Sequence, residues 1–200
     1  GVSHDLRTPL TRLKLQLALL PPSQEIEDAK RDLAEMEETL DEYLAFDKGI
    51  TDEAPTEVDL RALVAELAAD ARRSGADVRI EGEAVARIPG RARALKRCLS
   101  NLIDNAIAHG DMAAVVEFNE EDDAIIVAVD DNGPGISEDL YEEAFRPFSR
   151  LDATRSRNQK GVGLGLAIAR DVARSHGGDI KLSRSPLGGL RASVRLPRPA

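Results

Sequence analysis

The hydrophobic period of this chain changes once, near residue 50, and that change divides it into two kinds of structure. Before it, Leu6, Leu10, Leu13, Leu17 and Leu20 recur in alternating steps of four and three, the seam of an amphipathic helix. Pro21-Pro22 ends that helix, because proline lacks an amide hydrogen and disfavours helix in the residue before it. Ser23 is placed to cap a second helix, whose seam is Ile26, Ala29, Leu33, Met36, Leu40 and Tyr43. Two helices joined by a short turn predict an antiparallel hairpin over residues 1–48. Each helix carries one apolar stripe, and a lone hairpin buries two stripes poorly. Pairing two copies into a four-helix bundle solves this, which predicts a homodimer. The alternative is a hairpin packed on the rest of its own chain.

Residues 49–56 break the period with Gly, Pro and acidic side chains and read as a linker. From residue 57 to 200 strands and helices are interspersed. Leu60–Arg73, Arg93–Ala108 and Leu164–Ser175 have helical periodicity, the last stopped by Gly177-Gly178. Val78–Ile80, Ala114–Phe118, Ala124–Val129, Asp179–Leu182 and Leu190–Leu196 read as strands. The prediction is one α/β sandwich after an all-helical segment. Aromatic residues are only 3% of the chain, so its cores must be built from Leu, Ile, Val and Ala. A net charge of −9 argues against nucleic acid as a partner, since phosphodiester backbones are bound by basic patches. A nucleotide needs only a few local basic groups. Cys98 is the sole cysteine, which excludes an intrachain disulfide and speaks against a cysteine metal site.

Three short motifs in the second segment carry chemistry. Asn101 and Asn105 stand four residues apart and share one helix face, where amides can meet a metal ion and phosphate oxygens. Asp131-Asn132-Gly133-Pro134-Gly135-Ile136 leaves an apolar strand. Gly161-Val162-Gly163-Leu164-Gly165-Leu166 opens a helix. Glycines admit a ligand close to the backbone, and a helix N-terminus offers free amides to phosphate. Taken singly, each glycine run is equally well a turn, and the asparagine pair equally well two satisfied amides. The second run does not follow a strand, which argues against a dinucleotide-binding fingerprint.

In this order, the asparagine helix and the two glycine runs resemble the GHKL group of ATPases and kinases, whose nucleotide-binding fold is of the Bergerat type. The resemblance implies ATP and Mg²⁺ as ligands. Asp131 would accept from the adenine amino group, Asn105 would hold Mg²⁺ and Asn101 would assist at the phosphates. Amides around Gly163 and Gly165 would cradle them, with Gly133, Gly135, Ile136, Gly161, Val162, Leu164 and Leu166 completing the nucleotide site. Phe145–Ser149 followed by a basic stretch resembles the F box and ATP lid. Arg150, Arg155, Arg157 or Lys160 would reach the phosphates, and Arg150 and Arg155 match the family spacing best. The asparagine motif departs from the family at Ala108, where a basic residue is usual, and at His109, often an aromatic. His109 would stack on adenine, or is simply a helix-end residue favoured by the dipole.

Ser3-His4-Asp5-Leu6-Arg7-Thr8-Pro9-Leu10 resembles the H box of sensor histidine kinases of two-component systems, of the osmosensor EnvZ type. If Leu6 and Leu10 face the seam, His4 and Thr8 lie on the outer side, one turn apart. Neutral imidazole is a good nucleophile near its ordinary pKa of about 6.5. The resemblance implies phosphorylation of His4 from ATP, with Asp5 as base or orienter and Thr8 serving a phosphatase reaction. It further implies a response regulator receiver domain as partner and a cytoplasmic location, below a bacterial inner-membrane anchor upstream of Gly1. The first helix then starts abruptly before His4. A conformational ATPase and a nucleotide-sensing scaffold are the competing readings. The former relatives carry a catalytic Glu where Asn101 stands.

Overall fold

The computed structural model describes residues 2–21, 23–31, 33–34, 53–84, 86–149 and 163–198, with the backbone alone for residues 2–8. The chain divides into two compact units, Gly1–Thr51 and Asp52–Ala200.

In the first unit, α1 (Val2–Ala18) carries Pro9 within it. The turn closes with Leu19 N–H on the Gln16 carbonyl and Leu20 N–H on the Leu17 carbonyl. Helix α2 follows from residue 24 and is described at 24–31 and 33–34. Ser23 caps it as expected: its hydroxyl accepts from Ile26 N–H at 3.3 Å and its carbonyl from Glu27 N–H at 3.0 Å. Leu33 is buried, while Leu13 and Leu20 of the seam remain 44% and 48% exposed, so the stripe of α1 is only partly covered within one chain. Met36, Leu40 and Tyr43 lie outside the described residues.

The second unit is the predicted α/β sandwich. Its strands are β1 (Thr56–Asp59), β2 (Asp77–Glu81), β3 (Arg87–Gly90), β4 (Ala113–Glu121), β5 (Ala124–Asp131), β6 (Asp179–Arg184) and β7 (Leu190–Pro197). Five form one mixed sheet in the order β2-β4-β5-β7-β6, parallel only at β2–β4. Helices α3 (Leu60–Arg73), α4 (Ala92–His109) and α6 (Gly165–Ser175) pack against it. Residues alternate between buried and half-buried along β7, as in a sheet with one covered face. The core between the layers is aliphatic: Leu60 and Val64 of α3, Leu95, Leu99 and Leu102 of α4, and Ile125 and Val127 of β5, with Phe118 the one aromatic among its fully buried large side chains.

Two features escaped the sequence. Thr56, the end of the expected linker, is already in β1, which pairs antiparallel with β3 through Val58 opposite Ile88. Strand β1 runs directly into α3, whose N-terminus is capped by Asp59 accepting from Ala62 N–H at 3.0 Å. A short 3-10 turn, Glu138–Leu140, and a one-turn helix, α5 (Tyr141–Ala144), precede Phe145.

Candidate nucleotide site

Helices α4 and α6 run antiparallel, and three contacts fix their register. Arg91, which immediately precedes α4, meets Ser175 and His176 at the end of α6. One-third of the way along, Cys98 Sγ lies 3.4 Å from the Ala169 carbonyl. Next, a Cβ placed on Gly165 would stand 3.9 Å from Cβ and Cγ of Asn101. Asn101 therefore faces the first turn of α6, and Asn105 lies one turn further on, beyond the start of that helix. Burial pushes the Cys98 thiol up to about 12. It is a packed apolar side chain rather than a nucleophile.

The Asn101 amide nitrogen is buried and has no hydrogen-bond partner among the described residues. Such a donor costs about 1–3 kcal/mol unless an acceptor meets it. It lies against a helix start that has its own surplus of donors. Leu164 offers no side-chain cap to α6, and the first intrahelical bond is Ile168 N–H to the Leu164 carbonyl at 2.9 Å. The preceding amides of α6 point out of the helix end, as in any first turn. Amide and helix terminus together suit an anion with several acceptor oxygens.

The other half of the site is built around Asp131, which is 2% exposed at the end of β5. Its Oδ1 accepts from Gly133 N–H at 2.8 Å and from Leu190 N–H at 3.1 Å. One carboxylate oxygen is thus fixed by backbone, and the second accepts no hydrogen bond from a described residue. Two further contacts hold this loop to the C-terminus of α4. Asn132 Oδ1 accepts from Asp111 N–H at 3.0 Å, and any side chain at Gly133 would collide with the His109 carbonyl. Gly189 packs so tightly on Asp131 that it too has room for no Cβ. Gly135 takes φ +66° and a Cβ on it would be 3.2 Å from the Gly189 carbonyl. Behind the loop, Arg191 clamps the neighbouring Asp130 through Nε at 2.8 Å and Nη2 at 2.6 Å, and reaches Glu117 at 2.8 Å. The Asp130 bond keeps Arg191 firmly protonated.

Phe148 N–H donates to the Gly163 carbonyl at 3.0 Å, so residues on either side of 150–162 are tied together. Both adopt left-handed backbone, Phe148 at φ +65° and Gly163 at φ +75°. Beneath this tie, the Arg170 guanidinium sits 4.1 Å from the Phe145 ring centre and pairs with Glu142 at 2.8 Å and Asp179 at 2.9 Å.

The structure thus brings Asn101 to the start of α6, with Gly163, buried Leu164, Gly165 and half-buried Leu166 there and Asn105 one turn further along α4. Asp131, Gly133, Gly135 and half-buried Ile136 form the second cluster, with exposed His109 at the end of α4. Arg150, Arg155, Arg157, Lys160, Gly161 and Val162 lie outside the described residues, as do the side chains of His4, Asp5 and Thr8 on α1. Sequence reasoning missed Leu190, Gly189, Asn132 and the Arg191–Asp130 clamp. The glycine pair Gly188-Gly189 was the only local sign of them.

Residues 90–200 match the family described as Histidine kinase-, DNA gyrase B-, and HSP90-like ATPase, just over half of the chain. The chain belongs to this ATPase family. Sensor histidine kinase GtrS of Pseudomonas aeruginosa is 42% identical over 200 residues, covering 99% of this chain and 41% of GtrS. Sensor histidine kinase CpxA of Escherichia coli is 33% identical over 207 residues, covering 98% of this chain and 45% of CpxA. The chain thus spans less than half the length of these two relatives. Among solved structures, the ATP binding domain of PrrB from Mycobacterium tuberculosis superposes with a TM-score of 0.62 at 30% identity, covering 74% of this chain and all of that domain. The ATPase-family segment begins at Gly90, one residue before the contacts that set the α4–α6 register.

Proposed function

We propose that this chain is the catalytic core of a sensor histidine kinase, which binds ATP in its second unit and phosphorylates His4 in its first. The observation that carries the nucleotide half is the Asn101 amide, buried with no partner among the described residues against the start of α6, where Leu164 offers no side-chain cap. The phosphoacceptor half is supported by the sequence around His4 and by relatives named as sensor histidine kinases.

In this reading Asp131 accepts from the exocyclic amino group of adenine through the oxygen that Gly133 and Leu190 leave open. Guanine presents a carbonyl at the same place and would meet a carboxylate with no proton between them. Asn101 and the first amides of α6 hold phosphate oxygens. Asn105 would hold Mg²⁺, which neutralises phosphate charge and needs few protein ligands. Phosphoryl transfer demands mainly positioning and charge stabilisation. A neutral His4 nitrogen forms the new N–P bond, the bond from the terminal phosphorus to the bridging oxygen breaks, and ADP leaves. Asp5 orients the ring and takes its proton. Arg150 and Arg155 approach the phosphates. The linker up to residue 55 is the hinge between a phosphoacceptor hairpin and an ATP-binding domain. Dimerisation of the hairpin into a four-helix bundle would bury the exposed seam of α1. The phosphoryl group would then pass to an aspartate of a receiver domain, and Thr8 would serve the reverse, phosphatase reaction. No helix among the described residues is long and apolar enough to cross a membrane.

Incubation with terminally labelled ATP and Mg²⁺ tests the proposal. The wild type gains an acid-labile, base-stable phosphoryl group and His4→Ala gains none. Equal labelling of the two would refute the assignment. Steady ATP turnover with no phosphoprotein would instead favour a conformational ATPase.

A further inference from the structure

His176 is a second, half-buried polar centre on the α4–α6 pair, at the end opposite Asn101. Helix α6 ends there, and the ring is drawn inward. Its Nδ1–H donates to the Val172 carbonyl at 2.8 Å, which leaves Nε2 as an acceptor, and Nε2 takes Arg91 N–H at 3.1 Å. Arg91 precedes the first residue of α4 and has no side-chain cap of its own to offer that helix. Its guanidinium returns to α6, donating to the Ser175 carbonyl at 3.2 Å and the Ser175 hydroxyl at 2.9 Å. The ring fits because residue 90 is glycine: a Cβ there would lie 3.2 Å from ring Cδ2. The N-terminus of α4 is further held by Glu53, whose carboxylate accepts Arg93 N–H at 3.1 Å.

Between this end and Asn101 lie about ten residues of α4, or roughly 15 Å of helix. The antiparallel register is continuous over that length, through Arg91–His176, Cys98–Ala169 and Asn101–Gly165. Close-packed helices slide as units between discrete arrangements rather than stretch, so the contacts at the two ends belong to one register. We propose that His176 is a positioning residue for nucleotide binding: its neutral ring locks α4 to α6 in the register that sets Asn101 against the first turn of α6.

The lock holds only in one protonation state. A protonated ring has a donor at both nitrogens, so Nε2–H would face Arg91 N–H. The charged groups around the ring are Arg91, which opposes protonation, and Glu53, which favours it. Burial, the largest influence, holds the imidazole below its ordinary value. The inference rests on the nucleotide reading of the Asn101 face.

Linkage supplies the test. If nucleotide prefers the locked register, it prefers neutral His176, and bound nucleotide must lower the apparent pKa of that ring. The chain has three histidines, so the ring resonances are separable by NMR. The full chain is titrated with and without AMPPNP and Mg²⁺. A downward shift of His176 by a half unit or more, about a threefold coupling, supports the inference. An unchanged or raised His176 value overturns it. His176→Gln, whose amide oxygen can still accept from Arg91 without titrating, is the companion variant. It should bind AMPPNP near wild-type strength at pH 7.5, and its affinity should fall less than wild type's as the pH is lowered through the His176 value, the two differing by about threefold once the pH is below it. An identical acid limb in the two proteins would overturn the inference. Failure of both proteins to bind at any pH refutes the nucleotide reading itself.

Discussion

Asp131 shows how much one residue can be asked to do. It has left water almost entirely, and burying a carboxylate is unfavourable unless hydrogen bonds replace its hydration. Two backbone amides do so at Oδ1, and they also orient Oδ2. Asp131→Asn can keep the Oδ1 bonds but presents Nδ2–H to the ligand's own donor. We expect this variant to fold and to lose about 2 kcal/mol of ATP affinity, on the order of 30-fold, by calorimetry. Gly189→Ala tests the same residue from behind. Its methyl group collides with Asp131 Oδ1, so ATP binding should drop at least about tenfold, at an overpacking cost of about 1–3 kcal/mol in stability. A variant with unchanged affinity would show that Asp131 does not touch the nucleotide. Cys98 makes the opposite point, since its high thiol pKa predicts that alkylating reagents modify it only when the protein is unfolded.

At the scale of elements, what matters is how α6 is braced. Arg170 lies on the helix whose first turn faces Asn101, and its side chain joins Phe145, Glu142 and Asp179. Arg170→Met would release all three and should speed hydrogen exchange in residues 138–149, with rescue only partial in Arg170→Lys, which lacks the planar fork. Burial would raise the Asp179 carboxyl, but Arg170, Arg174 and the Ile180 amide outweigh it and hold it at about 2. Its folded value is depressed, so its stabilisation is complete above the ordinary carboxyl value of about 3.9 and is lost as pH falls toward 2. An acid melt of Asp179→Asn should therefore flatten relative to wild type across that window. Elements of this kind were legible in the sequence to unequal degrees. Helix α3 was readable to the residue, because its apolar spacing is regular. Strands β1 and β3 were not, since four residues each give no clear alternation and Pro89 sits within the second. Within the site, Asn101, Asn105 and Asp131 stood in motifs, whereas Leu190 meets Asp131 from 59 positions away through backbone alone. The adjacent glycines Gly188-Gly189 mark a turn there but do not say which residue it meets.

Across the whole molecule, the proposed reading gives the two units different tasks: His4 on α1 would be the nucleophile beside a partly exposed leucine seam, and the sandwich unit would hold the nucleotide. Phosphoryl transfer between them requires that the sandwich first hold ATP, and hold it by the adenine as well as by the phosphates. The most direct measurement is calorimetric titration of the full chain with ATP and with GTP in the presence of Mg²⁺. Binding of ATP with GTP at least about tenfold weaker, a difference of about 1.4 kcal/mol, is the predicted result. Equal binding of the two nucleotides, or binding of neither, would contradict the account.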